Sequence, residues 1–356
     1  MRVEQLETPC LLLEREILER NVARMAEFFR ERPAKIRPHF KTHKCTRVAR
    51  AQVEAGSLAG ITCAVVGEAE VLVAAGFEDL LIANQVLGAE KLRRLAELNS
   101  RADVKVCVDA REQVEMLSAA ARAAGVEIGV LAELDVGMAR CGVDDSAALL
   151  ELAGQVGAAE GLCFRGLQGY EGHACFITDA GERRRAAEAA AGKLAGARRD
   201  LEAAGVGVNI VSAGGTGTYD VTGLIEGIDE LQVGSYALMD GRYRTVRQDF
   251  ENALFLLSSV LSVHGERAVF DVGYKSAGAE MRPPAVVGLD GEPGGFKLNE
   301  EHLRLDGVGG RFRVGQKVRM IPWHGCTTCN LYPRFHVVDG EEVVDEWAIE
   351  GAGLRS

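Results

Sequence analysis

Eight short apolar runs alternate with Ala-rich helical stretches through the first two-thirds of the chain, and few folds accept that rhythm. The runs are "KIRPHF" (35–40), "ITCAV" (61–65), "DLLIAN" (79–84), "VKVCVD" (104–109), "GVLAELDV" (129–136), "FRGLQGY" (164–170), "VNIVSAGG" (208–215) and "ELQVGS" (230–235). Helical periodicity fills most of the gaps, as in 111–124 and 180–204. A first helix precedes them, with Leu18, Val22, Met25 and Phe29 on one face and Pro33 as its stop. Eight strands with helical crossovers over about 220 residues fit a closed β/α barrel. The rival is a doubly wound open sheet, which usually carries a Gly-rich phosphate turn after its first strand; this chain has lysines there. The link after the seventh run, "TYDVTGLIEGID", is too short and Gly-rich for a full helix. Beyond residue 250 the pattern changes to short β-like runs broken by Gly, Pro and Asp-Gly turns. The expected architecture is α/β: an eight-stranded, TIM-like barrel over 14–248, plus an all-β domain from 1–13 and 249–356.

Composition narrows the partners. The chain has 356 residues, 47% of them hydrophobic and 26% charged, with a formal net charge of −11. That balance offers little to a phosphate backbone and argues against nucleic acid. No apolar run is long enough to span a bilayer, and "MRVEQLETPC" lacks the apolar core of a signal peptide, so no membrane partner is expected. Nine cysteines without a framework spacing argue for reduced thiols and a cytoplasmic location.

In a β/α barrel, chemistry collects on the loops that leave the C-terminal ends of the strands. Lys41 follows the first run, Arg140 follows the fifth in "DVGMARCG", and Tyr170 ends the sixth in "LQGYEGH". "SAGGTGT" ends the seventh, where Gly214, Gly215 and Gly217 bare their backbone amides and Thr216 adds a hydroxyl; Gly234 and Ser235 follow the eighth. One Gly-rich turn is more often just a tight turn. Two of them, after the seventh and eighth strands, match the usual phosphate site of this fold. Beside such a site, Lys41 reads as a counter-ion or as an amine that forms a Schiff base, although any single lysine is ordinarily a snorkelling surface charge. In the β-rich part, "PWHGCTTCNLY" puts His324 and Cys326 two residues apart, read here as one side of an extended segment. Such a pair can hold a borderline metal such as zinc. Cys326 and Cys329 alone also suggest half a zinc knuckle or a redox pair, but no second CxxC supports either. "HAC" at 173–175 shows how readily the pattern arises.

Taken together and in order, "RPHFKTHK", "AELDVGMARCGV", "GLQGYEGH", "SAGGTGTYD", "ELQVGSYALMD", "DVGYKS" and "HGCTTCNLY" resemble the D-threonine aldolases. The related D-serine dehydratases and 3-hydroxy-D-aspartate lyases are similar too. All are fold-type III pyridoxal phosphate enzymes, relatives of alanine racemase, and the resemblance spans essentially the whole chain. It implies that Lys41 carries pyridoxal 5'-phosphate, that Arg140 and Tyr170 flank its ring, and that Gly214, Gly215, Thr216, Gly217, Gly234, Ser235 and Tyr236 hold its phosphate. It also implies a divalent metal on His324 and Cys326, with Zn2+ favoured by His-x-Cys and Mn2+ or Mg2+ as alternatives. A small D-amino acid substrate and a homodimer follow from the same resemblance. His173 is then a candidate acid or base, or else a loop histidine bound to backbone. The implied reaction is retro-aldol cleavage of a D-β-hydroxy-α-amino acid to glycine and an aldehyde. Many aldolases of this family have His-x-Asp where this chain has His-x-Cys, which keeps a zinc-dependent dehydratase yielding keto acid and ammonia as the alternative. A racemase or a non-catalytic pyridoxal phosphate carrier stand behind these. Arg242, Arg244 and Arg247 suit either an acidic substrate or a solvated loop.

Overall fold

The computed structural model describes residues 1–289 and 291–355, and the chain divides into two compact units. The first is built chiefly from Arg24–Lys41 and Gln52–Gly234; the second comprises Met1–Ala23, Thr42–Ala51 and Ser235–Gly353.

The first unit is the barrel. Its eight strands are Lys35–Ile36, Ile61–Cys63, Asp79–Ile82, Asp103–Val108, Ile128–Glu133, Leu162–Gln168, Ile210–Ala213 and Glu230–Leu231. All pair in parallel, the second through eighth each beside the next, and the eighth returns to the first. Isolated bridges between Ile36 and Leu58 and between His39 and Thr62 tie the first strand to the second, which curls the sheet closed. The expected barrel is therefore present, with all eight strands in the expected order. Val104 to Val108 and Ile128 to Glu133 are buried throughout, without alternation, because such strands have core on one face and helices on the other. Helix Arg111–Ala124 buries Val114, Leu117, Ser118 and Ala121 on one stripe and stops at Gly125, whose φ of 66° is the left-handed cap that glycine adopts freely. After the seventh strand there is only one helical turn, Tyr219–Thr222.

The first and last strands are shorter than "KIRPHF" and "ELQVGS" suggest. Pro38 has no N–H to give, so beyond Ile36 the ladder thins to single bonds, Arg37 N–H to Leu231 O and His39 N–H to Val233 O, both 2.8 Å. At the N-terminal end of the barrel, Arg37 is 2% exposed. Its Nε donates to Glu230 at 2.8 Å and a terminal nitrogen to Asp79 at 2.7 Å. Lys105 adds bonds to Asp79 at 2.9 Å and to Asp103 at 2.8 Å. One of the basic residues in the run 35–44 thus closes the barrel floor.

The second unit is mostly strand. Its sheet runs in the order Gly295–Leu298, Leu303–Asp306, Arg267–Phe270, Leu254–His264, Cys10–Glu14, Arg334–Asp339 and Glu342–Ala348; Lys317–Ile321 and Ala285–Val286 branch from Leu254–His264. The Cys10–Glu14 strand lies antiparallel to Leu254–His264 and parallel to Arg334–Asp339. Leu11, Leu12 and Leu13 are fully buried there. Among the described residues, no helix is long and apolar enough to cross a membrane and no disulfide forms.

Candidate active site

Lys41 is positioned by the closure of the barrel. Directly after the His39–Thr62 bridge, the chain makes a single 3-10 turn, Phe40–Thr42, anchored by the buried Phe40 and carrying Lys41. Its Nζ lies 5.8 Å from the centre of the Tyr170 ring, and the Arg140 guanidinium lies 5.4 Å from the same centre. Both distances fall within the reach of a cation–π contact. Tyr170 itself leaves the sixth strand, and its hydroxyl hydrogen-bonds the buried Cys175 thiol. That thiol and burial push the phenol well above its usual range, so it stays protonated at neutral pH.

Arg140 rides on a loop shaped by carboxylates. Asp135 accepts the amides of Gly137 and Met138 at 2.8 Å and of Ala139 at 3.1 Å, while Asp109 accepts that of Gly142 at 2.8 Å. Burial opposes the Asp135 charge, but those amides win and hold its carboxyl below the ordinary range. Behind the loop, Glu133 is buried, accepts from Gln85 at 2.6 Å and lies 3.6 Å from Arg140. Burial raises its carboxyl. His173 is exposed and packs on the Arg140 loop: a Cβ on Gly137 would lie 3.1 Å from its ring.

The glycine loop meets the same aromatic ring. A Cβ on Gly215 would sit 3.4 Å from Tyr170 and 3.2 Å from the Cys175 sulfur. Gly214 has φ +77°, and a Cβ there would lie 2.0 Å from Leu231, while one on Gly217 would lie 2.2 Å from the Cys175 carbonyl. Only glycine fits either position. Thr216 is buried. Lys41, Arg140, Tyr170 and Gly215 are thus brought together at the C-terminal ends of the barrel strands. Gly234 closes this unit. Ser235 and Tyr236 belong to the strand-rich unit, where Tyr236 is fully buried 5.7 Å from Phe250 and the Ser235 carbonyl accepts from Met239 at 2.7 Å.

Within the strand-rich unit, His324 and Cys326 lie together. The segment is not extended as the sequence suggested: His324 is extended, but Gly325–Cys329 is a short helix that carries Cys326. Asp240, 1% exposed, induces that bend by accepting the Gly325 amide at 2.8 Å and the Tyr243 amide at 2.8 Å. His324 hydrogen-bonds Cys326, which, against burial, pushes the imidazole up to about 9. Glu280 lies 3.3 Å from His324 Nδ1, and the Cys326 thiol donates to Thr42 at 3.7 Å. Among the described residues, no three His, Cys, Asp or Glu side chains converge as a metal cluster. Of the three arginines in 242–247, Arg247 is spent on Asp249 at 2.6 Å.

Sequence reading passed over Glu133, Asp240, Cys175 and Glu171. The last stands inside the quoted "GLQGYEGH", but its partners lie more than forty residues away.

Comparison with known proteins agrees with this fold. The model for "Alanine racemase, N-terminal domain" matches residues 14–240, and that for "Putative serine dehydratase domain" matches 253–338. A D-threonine aldolase from an Arthrobacter species is 37% identical over 98% of this chain and 94% of its own length. A 3-hydroxy-D-aspartate aldolase from Paracoccus denitrificans is 35% identical over 99% of this chain and 94% of its own. The crystal structure of D-threonine aldolase from Filomicrobium marinum superposes with a TM-score of 0.94 at 33% identity, covering 99% of this chain and 98% of that one. A D-threo-3-hydroxyaspartate dehydratase from Delftia is more distant, at 28% identity over 96% of this chain and 97% of its own. The chain belongs to the alanine racemase-like family of pyridoxal phosphate-dependent lyases that includes the D-threonine and 3-hydroxy-D-aspartate aldolases.

Proposed function

We propose that this protein is a pyridoxal phosphate- and divalent-metal-dependent aldolase that cleaves D-β-hydroxy-α-amino acids to glycine and an aldehyde. The observation that carries the reaction is full-length likeness to two aldolases at 35% and 37% identity, against 28% for a dehydratase. The barrel rim fits the cofactor: it supplies an amine, a flat aromatic face and a backbone cradle at Gly215 that any Cβ would fill. Once bound, the conjugated pyridine ring takes up the electron pair released when a bond at the substrate Cα breaks.

The chain's own residues do the rest. Lys41 would hold the cofactor through its Nζ, and Tyr170, its phenol kept protonated, would offer it a flat aromatic face. Arg140 presents a fixed positive charge toward it. Gly215, Thr216 and Gly217, with Gly234, Ser235 and Tyr236, would bind the phosphate, while Gly214, expected to join them, gives its amide to Glu171 instead. His324 and Cys326 offer one imidazole and one sulfur, a donor set suited to Zn2+, with Mn2+ or Mg2+ as alternatives. With only two ligands named, positions stay open for water or substrate, and a metal there would supply Lewis acidity toward the β-hydroxyl. His173 takes or returns a proton at the β-oxygen. The protein works in the cytoplasm, a reading supported by nine cysteines that form no disulfide among the described residues, and as a homodimer, a reading supported by the family resemblance.

Cys326 favours a second reading, the zinc-dependent dehydratase. A D-threo-3-hydroxyaspartate dehydratase has been solved as a cysteine-to-alanine variant in a metal-free form. Product identification separates the two. With D-threonine, pyridoxal phosphate and zinc or manganese, glycine and acetaldehyde are expected, and a chelator should abolish the reaction. 2-Oxobutyrate with ammonia would establish the dehydratase instead. A chelator without effect would remove the metal.

A further inference from the structure

Directly after Tyr170 stands a carboxylate that the reaction has not used. Glu171 is 1% exposed, and both of its oxygens are engaged. One accepts the Gly214 amide at 3.1 Å. The other accepts the hydroxyls of Thr218 at 2.7 Å and Thr222 at 2.6 Å. All three donors come from the stretch that follows the seventh strand. Thr218 and Thr222 bracket the single helical turn Tyr219–Thr222, and Thr218 makes no side-chain cap there, giving its hydroxyl to Glu171 instead. Both threonines are fully buried.

Burying a carboxylate is costly unless its bonds are satisfied, and an apolar side chain would fill the space at lower cost. The loop between Ala213 and Tyr219 has no ladder or helix to fix its shape. Packing pins it on one side, through Gly214 against Leu231 and Gly217 against Cys175. From these contacts we infer that Glu171 is the positioning residue for the glycine loop. It turns the Gly214 amide inward to the protein and holds the loop's far end through two hydroxyls, so the loop is shaped before any anion arrives. The inference rests on the phosphate role proposed above and names what sets that loop's geometry.

Glu171→Ala removes all three bonds, and Glu171→Gln can keep them. An amide oxygen accepts from Gly214, and an amide NH2 donates to hydroxyls that can turn and accept. Pyridoxal phosphate is titrated into each apoprotein and followed by its bound absorbance band, with thermal denaturation of the apoproteins alongside. Glu171→Ala should weaken affinity about tenfold or more, while Glu171→Gln stays within about threefold of wild type. At saturating cofactor, Glu171→Ala should regain most of its turnover, because the residue acts only through the loop. If Glu171→Ala does not fold, Thr218→Val and Thr222→Val each remove one donor and should each weaken affinity. Unchanged affinity in the variant that folds, or a melting temperature that falls alone, overturns the inference. A wild-type protein that binds no pyridoxal phosphate would instead overturn the cofactor reading beneath it.

Discussion

The two ends of the barrel treat charge in opposite ways. At the N-terminal end, Arg37 is sealed between Glu230 and Asp79, and Lys105 between Asp79 and Asp103, every bond between 2.7 and 2.9 Å. At the C-terminal end, Arg140 stands 3.6 Å from Glu133 with a half-exposed side chain, and Lys41 and Arg140 share one aromatic ring, Tyr170. The same residue types are structural where carboxylates enclose them, and we propose them as reactive where they meet an aromatic ring at the rim. Counting basic residues in "KIRPHFKTHK" cannot separate the two; only the end of the strand on which each falls can.

That contrast can be broken by substitution. The largest expected effect is Lys41→Ala, which should cost at least about a thousandfold in turnover and abolish the bound-cofactor absorbance. Its stability should move by no more than about 0.5 kcal/mol. Arg37→Leu should do the reverse. It strands Glu230, so denaturant unfolding should show a loss of about 3–5 kcal/mol, with turnover per folded molecule retained. A stable Arg37→Leu protein with poor turnover would mean that the floor of the barrel takes part in chemistry. Next comes Arg140→Leu, expected to lower turnover about a hundredfold with little change in melting temperature.

The smallest effect sharpens the comparison through pH. Burial works against the Asp79 charge, but Arg37 and Lys105 hold its carboxyl below the usual value. The stability this contributes is complete above the ordinary carboxylate range and drains as pH falls through the lowered value. Asp79→Asn should therefore flatten the loss of stability below about pH 4 in a series of urea melts. An unchanged acid slope would mean that the network carries no pH dependence.

Strands were legible because buried parallel strands announce themselves as unbroken apolar runs, Ile128 to Ala132 being the plainest case. Placing Lys41, Arg140 and Tyr170 on one rim followed from the strand rule alone. What could not be read was anything set by distant partners. The bend at Gly325 depends on Asp240, eighty-five residues earlier, so "HGCTTC" looked extended. Glu171 drew no reading because its three donors begin forty-three residues later.

The central strand of the second unit has a consequence for how the chain is made. Cys10–Glu14 leaves the ribosome before any strand of the barrel, yet its neighbours are Leu254–His264 and Arg334–Asp339. At common rates of translation, tens of seconds separate its emergence from that of its last partner. During that wait three leucines and two unpaired strand edges stand open to other nascent chains, and the wait outlasts that of the barrel strands, whose partners are all made by Leu231. Misassembly in the cell should therefore begin at Cys10–Glu14, the strand that must wait longest for company.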